Sequence, residues 1–78
     1  MPTILRLGGF RFEIFPGDHS PAHTHAYYGG GRAVIYLETV KLREQVGLKP
    51  KDVAKAMGMV AQHQAQFLRA WREINGNR

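Results

Sequence analysis

The chain has 78 residues, of which 11 are Lys or Arg and 6 are Asp or Glu, and it contains no cysteine. A chain of this length forms one domain, over residues 1–78, with a small core. The lack of cysteine excludes disulfide bonds and thiol nucleophiles. The formal charge of +5 favours polyanions or acidic proteins as partners. The N-terminus does not have the pattern of a signal peptide and no apolar run could span a membrane, so we expect a cytoplasmic protein with no membrane partner.

The first half of the chain is patterned for β-strands, in a meander over residues 3–37. Residues 10–15 alternate between apolar and charged side chains until the last position, as in a strand with one buried face. The segments 4–7, 22–28 and 32–37 supply further strands, and glycine and proline turns separate them. Because the loops are too short for crossover connections, we expect these three or four strands to pair antiparallel.

The second half of the chain has a helical period. Thr39 is a candidate cap for a short helical turn over residues 39–46. From Pro50, apolar side chains at spacings of three and four predict one amphipathic helix over residues 50–75. Such a helix of 26 residues would span about 37 Å from its first to its last residue, at a rise of about 1.5 Å per step. The sequence therefore predicts an α+β fold: a three- to four-stranded antiparallel meander packed against one long C-terminal helix, with a short helical turn before it.

The densest group of chemically active side chains lies at residues 18–25, which read Asp-His-Ser-Pro-Ala-His-Thr-His. Side chains two positions apart in a strand point to the same face. His23 and His25 would therefore share one face with Tyr27. An imidazole is neutral or charged near neutral pH, so a pair of them suits acid–base chemistry or metal binding.

Three interpretations of this segment remain open. His23 and His25 could act as base and acid on RNA, with Arg11 and Arg32 stabilising the charge that develops on the phosphate. A divalent metal such as zinc could instead be held by His19 together with the other two histidines. The third interpretation is purely structural, with imidazoles that hydrogen-bond the backbone and frame a turn.

Further side chains complete the candidate set. His63 falls at the edge of the apolar stripe of the long helix, from which it could approach the strand histidines. Tyrosines beside arginines can stack nucleic-acid bases. The candidate catalytic residues are therefore His19, His23, His25 and His63, and the candidate substrate-binding residues are Arg11, Arg32, Tyr27 and Tyr36.

The opening MPTILRLGGFRF, followed by GDHSPAHTHA, resembles the start of a small bacterial family known as domain of unknown function family 4160. The second half is similar to it as well, with Gly-Leu-Lys-Pro at 47–50 before a helix and Val60, His63, Leu68 and Trp71 along that helix. The resemblance covers nearly the whole chain. Ala22 stands where a second proline is common in the family and Lys49 where a capping serine is common, and neither departure affects a candidate catalytic group.

The resemblance implies a cytoplasmic protein that is often encoded beside a second small protein, of domain of unknown function family 2442. Such pairs look like toxin–antitoxin modules in which the present chain is the toxin. The family has no settled activity. Its motif points to His19, His23, His25, His63 and Trp71.

We therefore expect a toxin-like protein that acts on RNA or the translation machinery and is neutralised by a small acidic antitoxin-like protein. If it is an enzyme, a ribonuclease that needs no cofactor is the first expectation. The alternatives are a non-catalytic protein-interaction module, indicated by a Met59 that projects away from the apolar stripe, and a small metal-dependent hydrolase that uses the His-x-His segment. A homodimer is a further expectation.

Overall fold

The structure, a computed structural model, describes residues 3–76. Five strands form one antiparallel sheet in which every strand pairs with its neighbours in sequence: β1 (Thr3–Leu7), β2 (Phe10–Glu13), β3 (His23–Tyr28), β4 (Gly31–Tyr36) and β5 (Lys41–Val46). Two helices follow, α1 (Pro50–Gln62) and α2 (Gln64–Asn75). The predicted α+β class and antiparallel meander are confirmed. The sheet has five strands rather than three or four, and two helices replace the predicted single helix. In the described part of the chain, neither helix combines the length and apolarity needed to cross a bilayer.

The two helices cover one face of the sheet. Phe12 pairs with Ala26, and Ala26 with Ala33, so these three residues share a face and are buried there. Phe67 of α2 packs against Phe12, with ring centroids 5.3 Å apart, while α1 contacts β4 and β5. Strand alternation sends the intervening side chains to the opposite face, which we call the open face. It carries Arg6, Arg11, Glu13, His25, Tyr27, Arg32 and Val34.

The predicted helical turn at residues 39–46 is wrong, because Lys41–Val46 forms strand β5. Val40 adopts a positive φ of 51°, which reverses the chain so that β5 runs back along β4. All six residues of β5 are exposed, so neither face of the strand requires apolar side chains. Its sequence, Lys-Leu-Arg-Glu-Gln-Val, therefore lacks the apolar alternation from which a strand is predicted. Pairing with the free edge of β4 decides the conformation and overrides local propensity.

The predicted single helix over residues 50–75 is also wrong, because the helix breaks at His63, which has φ −114° and ψ 23°. A straight helix of about 37 Å would exceed the longest dimension of the molecule, 32 Å. The side-chain amide of Gln64 donates hydrogen bonds to Leu37 O at 2.7 Å and Glu38 O at 3.1 Å, which ties the break to the end of β4. The break lets α1 and α2 lie over different strands.

Two glycines are expected to respond in opposite directions to replacement by alanine. A Cβ on Gly31 would lie 2.6 Å from Gly47 O and 2.7 Å from Leu48 Cδ2, so the backbone must shift. We expect Gly31→Ala to lower the free energy of unfolding by about 1–3 kcal/mol. Gly58 in α1 faces open space, and Gly58→Ala should raise that free energy by about 0.5–1 kcal/mol. Urea unfolding measures both; changes of the same sign would contradict this packing.

Candidate functional site

The loop between β2 and β3 places Asp18 beside the start of β3. Asn75, at the end of α2, is buried and accepts a hydrogen bond from Gly17 N at 2.8 Å through its Oδ1 atom. Its Nδ2 atom donates to Phe15 O at 3.2 Å, and the Asp18 amide donates to the same carbonyl at 3.4 Å. The residues just before Asp18 are therefore fastened to the C-terminal helix. This anchorage determines where the Asp18 carboxylate lies.

Two histidines of β3 converge on that carboxylate. His23 Nε2 lies 3.2 Å from Asp18 Oδ2, and His25 Nε2 lies 3.4 Å from the same oxygen. One nitrogen or oxygen from each residue lies within 4.8 Å of the others. We call Asp18, His23 and His25 the Asp-His-His cluster.

The orientation of the His23 ring is determined by its other nitrogen. Nδ1 lies 2.8 Å from Pro21 O, and this contact is favourable only when Nδ1 donates a proton to the carbonyl. In the neutral ring, Nε2 then carries a lone pair that faces a negatively charged oxygen. The approach is favourable only with a positive charge between the two atoms, either a proton or a metal ion. An Nδ1–H bonded to a carbonyl is also the usual outer contact of a metal-binding histidine.

The His25 ring is packed against Phe15, with centroids 4.6 Å apart. Burial lowers the pKa of His25; the hydrogen bond and charge of Asp18 oppose this effect, and His23 and Arg32 add to it. The ring is therefore neutral near pH 7, which is the form that binds metals. The side chains of His25 and Asp18 remain 21% and 27% exposed, so small molecules can reach the cluster from solvent.

The spacing of the cluster matches the coordination shell of a small cation. Zinc holds imidazole nitrogens and carboxylate oxygens at about 2.0–2.1 Å, which puts neighbouring ligands of a tetrahedral site about 3.4 Å apart. The nitrogen–oxygen separations of 3.2 and 3.4 Å agree with this value. A phosphate hydrogen-bonded between the two rings would instead separate their nitrogens by roughly 7 Å. The geometry therefore suits a cation better than a pair of acid–base histidines that flank a phosphate.

The other candidate residues lie outside the cluster. His19 is exposed and contributes no atom to it, and His63 occupies the break between the helices. Tyr36 pairs with His23 across β3 and β4. Asp18 belongs to the cluster although its sequence pattern predicted no ligand role for it. The available signal was a carboxylate in the same short segment as His23 and His25.

The predicted substrate-binding residues of the middle strands lie next to the cluster on the open face. The Arg11 guanidinium lies 4.7 Å above the centre of the Tyr27 ring. Arg11 Nε is 2.9 Å from Glu13 Oε2, although its N–H is not directed at that oxygen, so the contact is ionic. Arg32 Nη1 lies 3.5 Å from Glu44 Oε2 in a half-exposed pair. Tyr27 and His25 are two positions apart on β3, so these substrate-binding candidates and the Asp-His-His cluster lie within about 7 Å of each other along the strand.

A comparison of the chain with protein families finds a match over most of its length. The family model described as Domain of unknown function (DUF4160) matches residues 9–72. The matched segment contains Asp18, His23 and His25 as well as Trp71, whose ring centroid lies 5.1 Å from that of His23. Neither a curated protein nor a solved structure matches the chain. The family description names no activity, so the functional argument depends on the geometry of the cluster.

Asn75 is expected to act as a positioning residue for the cluster. Asn75→Ala leaves Gly17 N without its acceptor and removes one of the two donors to Phe15 O, so it should lower the free energy of unfolding by about 1–3 kcal/mol. The released loop should also weaken zinc binding about 10- to 100-fold. Val60→Ala, on the buried face of α1, is the matched control, with a stability loss on the order of 2 kcal/mol and unchanged zinc affinity. Urea unfolding and zinc titration against a chromogenic chelator measure these quantities; equal zinc affinities in the two variants would contradict the positioning role.

Proposed function

We propose a metal-dependent hydrolytic function for this chain, which belongs to the family described as Domain of unknown function (DUF4160). The observation that carries the proposal is the approach of two imidazole nitrogens to one carboxylate oxygen at 3.2 and 3.4 Å. In this proposal Asp18, His23 and His25 bind one divalent cation, with zinc as the first candidate. Three protein ligands that leave a position for water are typical of catalytic rather than structural zinc.

The proposed chemistry is attack by metal-activated water. A divalent cation held by Asp18, His23 and His25 would lower the pKa of its bound water to about 7 and so supply hydroxide at neutral pH. The hydroxide oxygen would bond to the phosphorus of a phosphodiester as the bond to the leaving oxygen breaks, and solvent water would supply the proton that the leaving oxygen takes up. The protein contributes orientation: Pro21 O holds the His23 ring, and Phe15 packs against His25.

The two imidazoles and one carboxylate of the cluster are compatible with several divalent metals. Two imidazoles and a carboxylate with open positions also bind Fe(II) in non-haem iron oxygenases. Zinc and manganese support hydrolysis, whereas iron would direct the proposal towards oxygen chemistry. The metal content of the protein therefore tests the reaction class as well as the site.

RNA or the translation machinery is the proposed target, and a small acidic antitoxin-like protein is the proposed partner. Support comes from the formal charge of +5 and from Arg11 and Arg32, which share the open face with His25. The structure changes the mechanism within this proposal. His23 and His25 act as metal ligands, and no separate general acid and base are assigned to them.

The metal site is tested with protein purified without an affinity tag. Elemental analysis should find close to one equivalent of zinc, manganese or iron in the wild type. Asp18→Asn replaces a charged ligand by an amide of the same shape and should lower metal occupancy and phosphodiesterase activity at least about tenfold. His19→Ala is the matched control: it removes an exposed imidazole next to Asp18 and should change neither. A folded wild type that binds no divalent cation would remove the basis of the proposal.

The target is tested separately, by induction of the same three proteins in a bacterium. We expect growth arrest and loss of intact RNA with the wild type and with His19→Ala, and normal growth with Asp18→Asn. Growth curves and electrophoresis of total RNA report the outcome. Normal growth with intact RNA on wild-type induction would count against a toxin-like role, whatever the metal analysis shows.

A further inference from the structure

We infer that the open face carries a second site, a cationic groove that binds single-stranded nucleic acid and leads it to the Asp-His-His cluster. The groove lies at the end of the sheet that contains the β1–β2 and β3–β4 turns, and its volume is about 620 Å³. That volume falls within the range of ligand clefts. Its charged lining consists of Arg6, Arg11 and Arg32, and its aromatic lining of Phe10, Tyr27 and Tyr28. The inference rests on the proposed function only in naming this ligand as the substrate class of the cluster.

The groove gathers three arginines against two carboxylates, with Glu13 beside Arg11 and Glu44 beside Arg32. Arg6 and Arg11 are direct partners across β1 and β2, and like charges in that position destabilise a sheet. Arg32 is the partner of Tyr27 on the other side, so the three arginines belong to a single row. The side chains of Arg11 and Arg32 are 42% and 49% exposed. A bound phosphate backbone would offset the repulsion between them.

The groove also offers a stacking surface and an open backbone. The Arg11 guanidinium lies over the Tyr27 ring, and arginines and aromatic rings are the side chains on which unpaired bases stack. Glycines form both turns at the rim, so their peptide groups are accessible to a ligand. A neighbouring cleft shares the β3–β4 turn and adds Lys49, Lys51 and Lys55. An acidic protein would use the charges, whereas the aromatic platform is specific to a ligand with bases.

Strand β3 links the groove to the cluster. Arg11, Tyr27 and Arg32 form one cross-strand row at the groove, and Glu13 and His25 belong to the adjacent row. Two residues along a strand span about 6–7 Å, which is close to the spacing of successive phosphates. A nucleotide that extends from the groove along β3 would therefore bring a phosphate to His25.

Binding is tested by fluorescence anisotropy with a labelled single-stranded RNA of about 12 nucleotides, in EDTA and in the Asp18→Asn background. Three phosphate contacts predict that log Kobs falls against log salt with a slope of about −2. Arg6→Gln with Arg32→Gln should reduce that slope by about 1.4 units and weaken binding at least about tenfold at low salt. Arg69→Gln with Arg72→Gln removes the same charge from exposed positions on α2 and should leave binding within about twofold. Arg11 is kept, because it pairs with the buried Glu13.

A second variant tests the stacking surface. Tyr27→Leu should remove the preference for single-stranded over duplex RNA and leave the salt slope unchanged. The inference would be overturned if the two double-arginine variants lost the same affinity for RNA, or if polyglutamate bound as tightly as the RNA. It would also be overturned if the protein bound neither single-stranded RNA nor single-stranded DNA. Binding in EDTA requires no metal, so failure of the metal site would leave this result intact. Variants that lose RNA binding at the groove should likewise keep the metal occupancy of the wild type.

Discussion

One carboxylate oxygen approached by two imidazole nitrogens is the constraint on which the candidate site depends. With nothing between them, the Nε2 lone pair of His23 and the negative oxygen of Asp18 would repel each other across 3.2 Å, so the contact needs a proton or a metal ion. If the loop were free, Asp18 would move towards solvent. A cation between the three groups turns the repulsion into attraction at the same distances. The arrangement is thus preorganised for positive charge, because its ligands need little movement to bind it.

The force that holds the loop in place comes from the far end of the chain. Asn75 bonds Gly17 N across 58 positions of sequence, so Asp18 is in position only when α2 is folded and docked. The docking of α2 depends in turn on Phe67, which packs against Phe12 of the sheet. Site geometry and folding are therefore coupled. A cation that binds only the folded chain, at about 100 times its dissociation constant, would add about 2.7 kcal/mol of stability, a substantial amount for a domain with so small a core.

Much of this architecture follows from periodicity, and the rest depends on contacts that periodicity does not encode. The alternation in residues 10–15 and the spacing of His23 and His25 predicted a strand and a shared face, because each pattern is local. Strand β5 is exposed throughout and owes its conformation to an edge that exists only after β4 is in place. The helix break depends on a hydrogen bond from Gln64 to the end of β4, for which no spacing is diagnostic. The ligand role of Asp18 was not predictable for the same reason, because the hydrogen bonds of the distant Asn75 determine the position of its loop.

The charges of the open face couple the groove to the cluster. Glu13 lies between them, and its ion pair with Arg11 removes the negative charge that would otherwise separate two anion-binding regions. In the metal-free chain only the groove end attracts a polyanion, because the charge of Asp18 dominates the other end. A divalent cation reverses the sign of the cluster, and the face becomes positive along its length. A bound phosphate backbone should therefore strengthen metal binding, and a bound metal should strengthen binding of the backbone by the same factor, because linkage between two sites is reciprocal.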